Sequence, residues 1–201
     1  MKNLPYSSAA ERNREPILEQ LRSLLPARGT VLEIGSGTGQ HAVYFCRYLK
    51  DIKWQPSDRD ENLPGLEACF HAEGNPRIHA PLNLDVNSDT WPGGGFDAAY
   101  SANTAHIMSW REVGSMFAGV TSQLKAGAPF CLYGPFNIDG RFTSDSNARF
   151  DAGLRLDNPK RGIRDMAAVE SLANQFQMDL EKKIAMPANN FVLLIRKWAE
   201  K

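Results

Sequence analysis

The stretch VLEIGSGTGQH, residues 31–41, sets Gly35, Gly37 and Gly39 within five residues, directly behind an apolar run and ahead of a helical segment. Each glycine costs conformational entropy on folding. Three so close together mark a backbone that turns sharply or lies nearer a ligand than a Cβ permits. A strand running through such a loop into a helix is the opening unit of an alternating β/α chain, and this constrains the fold more than any other feature. The same geometry turns backbone N–H groups and the positive end of a helix toward whatever the loop receives.

The rest of the chain keeps the alternation. Ser8 and Glu11 read as a capping box opening a short helix. Pro16 then ends or kinks it and begins a second helix, whose apolar face is Ile17, Leu18, Leu21, Leu24 and Leu25. Strands are expected at 31–34, 52–56, 78–82, 96–101 and 129–133, and helices at 40–49, 63–73, 110–124 and 165–176, with Val43, Cys46 and Leu49 inward on the first of these. Two further strands, 178–184 and 191–196, are joined by the turn-like MPANN. This connection is too short for a parallel crossover, so the last pair is expected to be antiparallel. The fold class is therefore α/β: a Rossmann-like, mostly parallel, doubly wound sheet ending in an antiparallel hairpin. One domain over residues 1–201 is expected, with a lid-like insertion at 134–164 in which Phe136, Phe142, Phe150, Leu154 and Leu156 imply packing.

What the loop holds follows from its neighbours. A dinucleotide fingerprint reads G-x-G-x-x-G, but here Gln40 stands where the third glycine belongs. Glu33, two residues before the first glycine, suits a ligand that carries an ammonium group and no phosphates, such as S-adenosyl-L-methionine. Gly35, Ser36, Gly37 and Gly39 would cradle it. Asp58, ending the second strand, is placed to grip ribose hydroxyls. Asp85, after the third, would accept from an adenine amino group while Val86 packs on the ring. Each acid alone is as readily a helix cap or a loop residue; three at successive strand ends make a set.

AAERNREPIL (residues 9–18), GSGTGQHA (35–42), WQPSD (54–58), YGPF (133–136), GIRD (162–165) and MPANN (186–190) together resemble the methyltransferase-like 26 family over nearly the whole chain. The resemblance implies a class I S-adenosylmethionine-dependent methyltransferase fold and that cofactor. It brings no acceptor.

Methyl transfer from a sulfonium demands alignment and exclusion of water, and a base only when the acceptor arrives protonated. Candidates lie past the fourth and fifth strands. Asn103 and His106 follow the fourth, and His106 is either a base or a histidine packed at a helix start. Tyr133 and Phe136 form an aromatic wall or plain core. In the insertion Arg149, Arg155 and Arg164 alternate with Asp145, Asp151 and Asp157, giving either a self-paired surface or an arginine clamp for a carboxylate-bearing small acceptor. Arg12 and Asn13 would close over the cofactor from the N-terminal segment, or simply solvate a helix.

Charge excludes some classes. Twenty-three Lys and Arg balance 23 Asp and Glu, which gives no field for nucleic acid or an anionic membrane. Three widely spaced cysteines, Cys46, Cys69 and Cys131, suit buried thiols and neither disulfides nor a metal site. With a polar N-terminus lacking a signal-peptide core, the expected location is cytoplasmic. The reading is a methyltransferase acting on a small-molecule acceptor. The alternative is a non-catalytic scaffold or partner subunit that binds S-adenosylmethionine. A nicotinamide oxidoreductase is disfavoured by the missing glycine.

Overall fold

In the computed structural model, residues 4–88 and 90–199 are described. In chain order the elements are α1 (Ser8–Leu24), β1 (Gly29–Ile34), α2 (Gln40–Tyr48), β2 (Ile52–Asp58), α3 (Leu63–Glu73), β3 (Leu82–Asn83), β4 (Ala98–Ala102), α4 (Trp110–Gln123) and β5 (Pro129–Gly134). There follow β6 (Phe136–Asn137), α5 (Asp145–Asp157), β7 (Arg164–Asp165), α6 (Met166–Gln175), β8 (Met178–Met186) and β9 (Asn190–Lys197). Seven strands form one sheet in the order β3-β2-β1-β4-β5-β9-β8. The first five are parallel, and β9 runs antiparallel to both β5 and β8. The expected α/β fold, mostly parallel and closed by an antiparallel pair, is what the chain adopts. The strand order reverses between β1 and β4, so a crevice opens at their carboxyl ends.

Two-residue alternation along the strands feeds two cores. On one face Val31, Trp54, Tyr100 and Leu194 pack with Ile17 and Leu21 of α1 and Phe45 of α2. On the other, Leu32, Ala99, Phe130 and Leu193 meet Val113 and Phe117 of α4 and Val169 of α6. Trp54, Tyr100 and Phe45 sit edge-to-face, with centroids 5.5 to 5.7 Å apart.

Several boundaries differ from the sequence reading. The chain does not break at Pro16: α1 is one helix capped by Ser7, whose side chain accepts from the Ala10 N–H, and not by Ser8. Packing of Ile17, Leu18, Leu21 and Leu24 carries the helix past the donor that proline lacks. On α2, Val43 is only half-buried, and His41, Ala42, Phe45 and Cys46 take the core. The third strand shrinks to two residues, with Ile78 making an isolated bridge to Trp54. The fourth begins at Ala98. Residues 134–164 are organised around helix α5, capped by Ser144 and not by packing of every apolar residue named above. Phe136 is buried, but Leu156 is 89% exposed.

Two glycines of α4 are opposed in their surroundings. A Cβ on Gly119 would run into the Trp91 ring, whereas one on Gly114 would meet only Leu172, at 4.0 Å. We expect Gly119→Ala to lower stability by about 1–3 kcal/mol through overpacking. Gly114→Ala should raise it by roughly 0.5–1 kcal/mol through helix entropy. Urea denaturation midpoints check both. Equal effects at the two sites would mean that Trp91 does not hold that position.

Candidate functional site

The glycine loop is pinned from below by a carboxylate. Glu33, at the end of β1, is buried, and its Oε2 accepts from Ser36 Oγ at 2.8 Å and Trp54 Nε1 at 2.9 Å. Ser36 Oγ accepts in turn from the Ser57 N–H, and Ser57 Oγ donates to the Glu33 carbonyl. Burial pushes the Glu33 carboxyl up to about 7, against the two hydrogen bonds that lower it. Above this anchor Gly35, Gly37 and Gly39 all have positive φ, of 73°, 56° and 77°. The loop's N–H groups do not all face outward as the sequence suggested. Gly35 and Ser36 donate to the Ser57 carbonyl and Gly37 to Asp58 Oδ2 at 2.7 Å. The glycines serve space and φ more than donation.

A first cavity of about 440 Å³ opens over the loop at the crevice between β1 and β4. Gly35, Gly37, Asp58, Asp85 and Val86 line it, so the two later acids and the apolar neighbour predicted from sequence converge. A Cβ on Gly37 would meet nothing within 4 Å, which leaves its approach open to a ligand. Asp58 also accepts from the Arg59 N–H and Asn62 Nδ2, both at 2.8 Å, and these bonds fix its orientation. A nucleoside fits this wall: a held carboxylate for hydroxyls, a second carboxylate for an amino group, and Val86 against a ring.

A second cavity of about 460 Å³ lies under α1. Ala9, Arg12, Asn13 and Pro16 of that helix face Tyr133 and the turn between β8 and β9, through Pro187, Ala188 and Asn190. Asn103 lines both cavities. It follows β4 in a left-handed conformation, φ 59°, held by its N–H donating to the Tyr133 carbonyl at 2.9 Å. A non-glycine residue kept in that region is strain that the surroundings must support. Beneath the second cavity Tyr100 Oη meets His41 Nδ1 at 3.1 Å and His41 Nε2 meets Asn13 Oδ1 at 2.8 Å. Burial drops the His41 pKa to about 4.

Other candidates sit elsewhere. Glu33, Ser36 and Gly39 support the loop from behind and are on neither cavity wall. Arg12 faces the second cavity, apart from the nucleoside wall. His106 is buried against Phe150 with its pKa lowered to about 4 by desolvation, and is on neither wall. Phe136 belongs to the core. On α5 Arg149 is exposed and Arg155 pairs with Asp151, so the arginines read as a clamp do not reach a cavity. Arg164 binds the Ala105 carbonyl. Instead Asn158 and Arg161, unremarked in the sequence, bring the insertion to the first cavity. Also missed was Gln40, which accepts from the Ser7 N–H and donates to Glu11, tying α1 to the loop. Its place where a glycine was missing was the available signal. Cys46 and Cys131 are buried, and desolvation raises both thiols to about 12. No helix among the described residues is long and apolar enough to cross a membrane.

The fold is shared with solved methyltransferases, among them proteins described as O-methyltransferases. An O-methyltransferase family protein from Burkholderia thailandensis superposes with a TM-score of 0.81 at 15% identity, covering 96% of this chain and 58% of that one. Mitomycin 7-O-methyltransferase gives 0.81 at 13% identity, covering 94% and 54%. A methyltransferase of calicheamicin biosynthesis, in its SAH-bound form, gives 0.75 at 16%, covering 94% and 55%. At these identities the likeness is one of fold, and the chain spans a little over half the length of each. The chain belongs to the family described as protein of unknown function DUF938, which matches residues 4–197.

The anchor sets a pH test. Folded Glu33 keeps its proton to about 7, whereas an unfolded glutamate releases it near 4.5. Stability should therefore fall by about 3 kcal/mol as pH rises from the unfolded to the folded value, then level off. Glu33→Gln keeps an acceptor for Trp54 and Ser36 without a charge, and should flatten that decline in melting temperature. An unchanged slope would place its source in another group.

Proposed function

We propose that the protein is an S-adenosylmethionine-dependent methyltransferase acting on a small-molecule acceptor, with the cofactor in the first cavity and the acceptor in the second. The observation that carries this reading is that two cavities of ligand size meet at a single side chain, Asn103, at the carboxyl end of β4. Solved relatives in fold include an enzyme named for transfer to mitomycin and one of calicheamicin biosynthesis, which favours a small acceptor.

When bound, S-adenosylmethionine supplies an electrophilic methyl group on a sulfonium. Asp58 would accept from the ribose hydroxyls, Asp85 from the adenine amino group, and Val86 would cover the ring. The open approach at Gly37 lets the ligand lie against the backbone. Asn103, whose side chain bonds to no described residue, has both an amide donor and an acceptor available to orient the nucleophile. Helix α1 roofs the second cavity and excludes water, so in-line alignment and a dry site supply the rate. His106, neutral and off both walls, has no part in this scheme.

Calorimetry should find S-adenosylhomocysteine binding in the micromolar range, on the order of −8 kcal/mol. Asp58→Ala should weaken it by roughly 1–3 kcal/mol. Gly37→Val should abolish it, and the left-handed φ of 56° adds a stability cost of about 1–2 kcal/mol. Tighter binding of a nicotinamide dinucleotide would overturn the proposal.

A further inference from the structure

The two cavities differ in charge. Asp58, Asp85 and Glu112 stand on the first with Arg59 and Arg161, whereas among the described residues no carboxylate lines the second. Arg12 is exposed on the wall of the second and has no ion-pair partner among the described residues. The acid beside it in sequence, Glu11, is taken by Arg14 and Gln40. A cation left unpaired at a cavity that holds no anion is the first sign of an anionic ligand.

The hydrogen-bond chain beneath gives an independent second sign. Asn13 turns its Oδ1 toward His41 Nε2, so Nε2 carries the ring proton and donates it. The neutral ring then offers only a lone pair at Nδ1, and Tyr100 must donate its hydroxyl proton there. Tyr100 is fully buried and stays a phenol, since desolvation raises it well above 10. With Oδ1 occupied, Asn13 has its Nδ2 protons left. Asn13 and Tyr133 both line the second cavity, so these amide protons and the Tyr133 hydroxyl stand at its wall. Both bonds in the chain from Tyr100 through His41 to Asn13 point outward, and leave the Asn13 amide as a donor at the cavity. The core thus fixes the polarity of a group at the surface of the site.

We infer that the second cavity binds its ligand through a carboxylate seated between the Arg12 guanidinium and the donors of Asn13 and Tyr133, with Tyr100 and His41 as positioning residues that orient the Asn13 amide. Calling that ligand the methyl acceptor rests on the reading proposed above. It is then a small acid whose second, nucleophilic heteroatom extends toward Asn103, and the carboxylate is the handle by which it is oriented.

The test uses the full chain saturated with S-adenosylhomocysteine and two probes of like shape, para-hydroxybenzoate and para-hydroxybenzamide, titrated by ligand-observed NMR. The acid should bind about tenfold more tightly than the amide. Arg12→Gln and Tyr133→Phe should each bring that ratio close to one, by weakening the acid far more than the amide. Tyr100→Phe should shrink the ratio severalfold, which lost packing alone would not do because both probes would suffer alike. Should Tyr100→Phe fail to fold, Arg12→Gln, at an exposed position, still decides the matter. Equal binding of the two probes, or of neither, overturns the inference. So does an Arg12→Gln variant that weakens S-adenosylhomocysteine while keeping the acid preference, because the carboxylate held there would be the cofactor's own. An acid preference that persists in a protein unable to bind S-adenosylhomocysteine or S-adenosylmethionine sustains the carboxylate site and sinks only the methyltransferase reading.

Discussion

Everything above β1 depends on one buried carboxylate. Glu33 receives Ser36 from the loop and Trp54 from the neighbouring strand, and so fixes the end of β1, the glycine turn and β2 against one another. The cost is desolvation of an acid, and it is met by two directed donors and by a carboxyl that holds its proton further up the pH scale. The position of Asp58 follows from this. The strand it ends is pulled against the loop, and the Gly37 N–H reaches its carboxylate. A cavity wall in which both the turn and the acid are immobilised is preorganised before any ligand arrives.

The second constraint comes from outside the sheet. Helix α1 is held by its buried apolar face, and its first turn is in addition fastened to the start of α2. Gln40 takes the Ser7 N–H at 2.6 Å and gives a bond to Glu11 at 3.2 Å. The same side chain receives Thr38 Oγ1 at 2.9 Å. A glycine at position 40 would leave the roof without this clasp. The departure from the dinucleotide pattern thus marks where a helix is clamped over a cavity.

The mostly parallel sheet, its antiparallel ending and the convergence of Asp58, Asp85 and Val86 were legible because they follow from period, connection length and position at strand ends, all local properties of the chain; the strand order was not read. The continuous α1 was not legible. Pro16 is a strong local signal for a break, but the burial of Ile17 and Leu21 against the sheet outweighs it, and that contact is non-local. The misplaced arginines have the same origin. Sequence set Arg149 and Arg155 in the right segment, but once α5 forms, helical phase decides which residue faces inward; the bond of Arg155 to Asp151, four residues earlier, is such a decision. Asn158 and Arg161 reach the cavity because they lie beyond the helix end. Of the two readings of His106, the structure shows the packed one, although nothing in its neighbours in sequence announces that Phe150 is what covers it.

Asn103 carries a consequence of its own. One amide, held on a strained backbone, borders two chambers, so a ligand that engages its side chain in either chamber changes what the other ligand finds there. Linkage makes any such effect reciprocal: the factor by which the first ligand alters affinity for the second is the factor by which the second alters affinity for the first. Order of addition then ceases to be a matter of access alone. It is weighted by how a single side chain divides its donor and its acceptor between two guests.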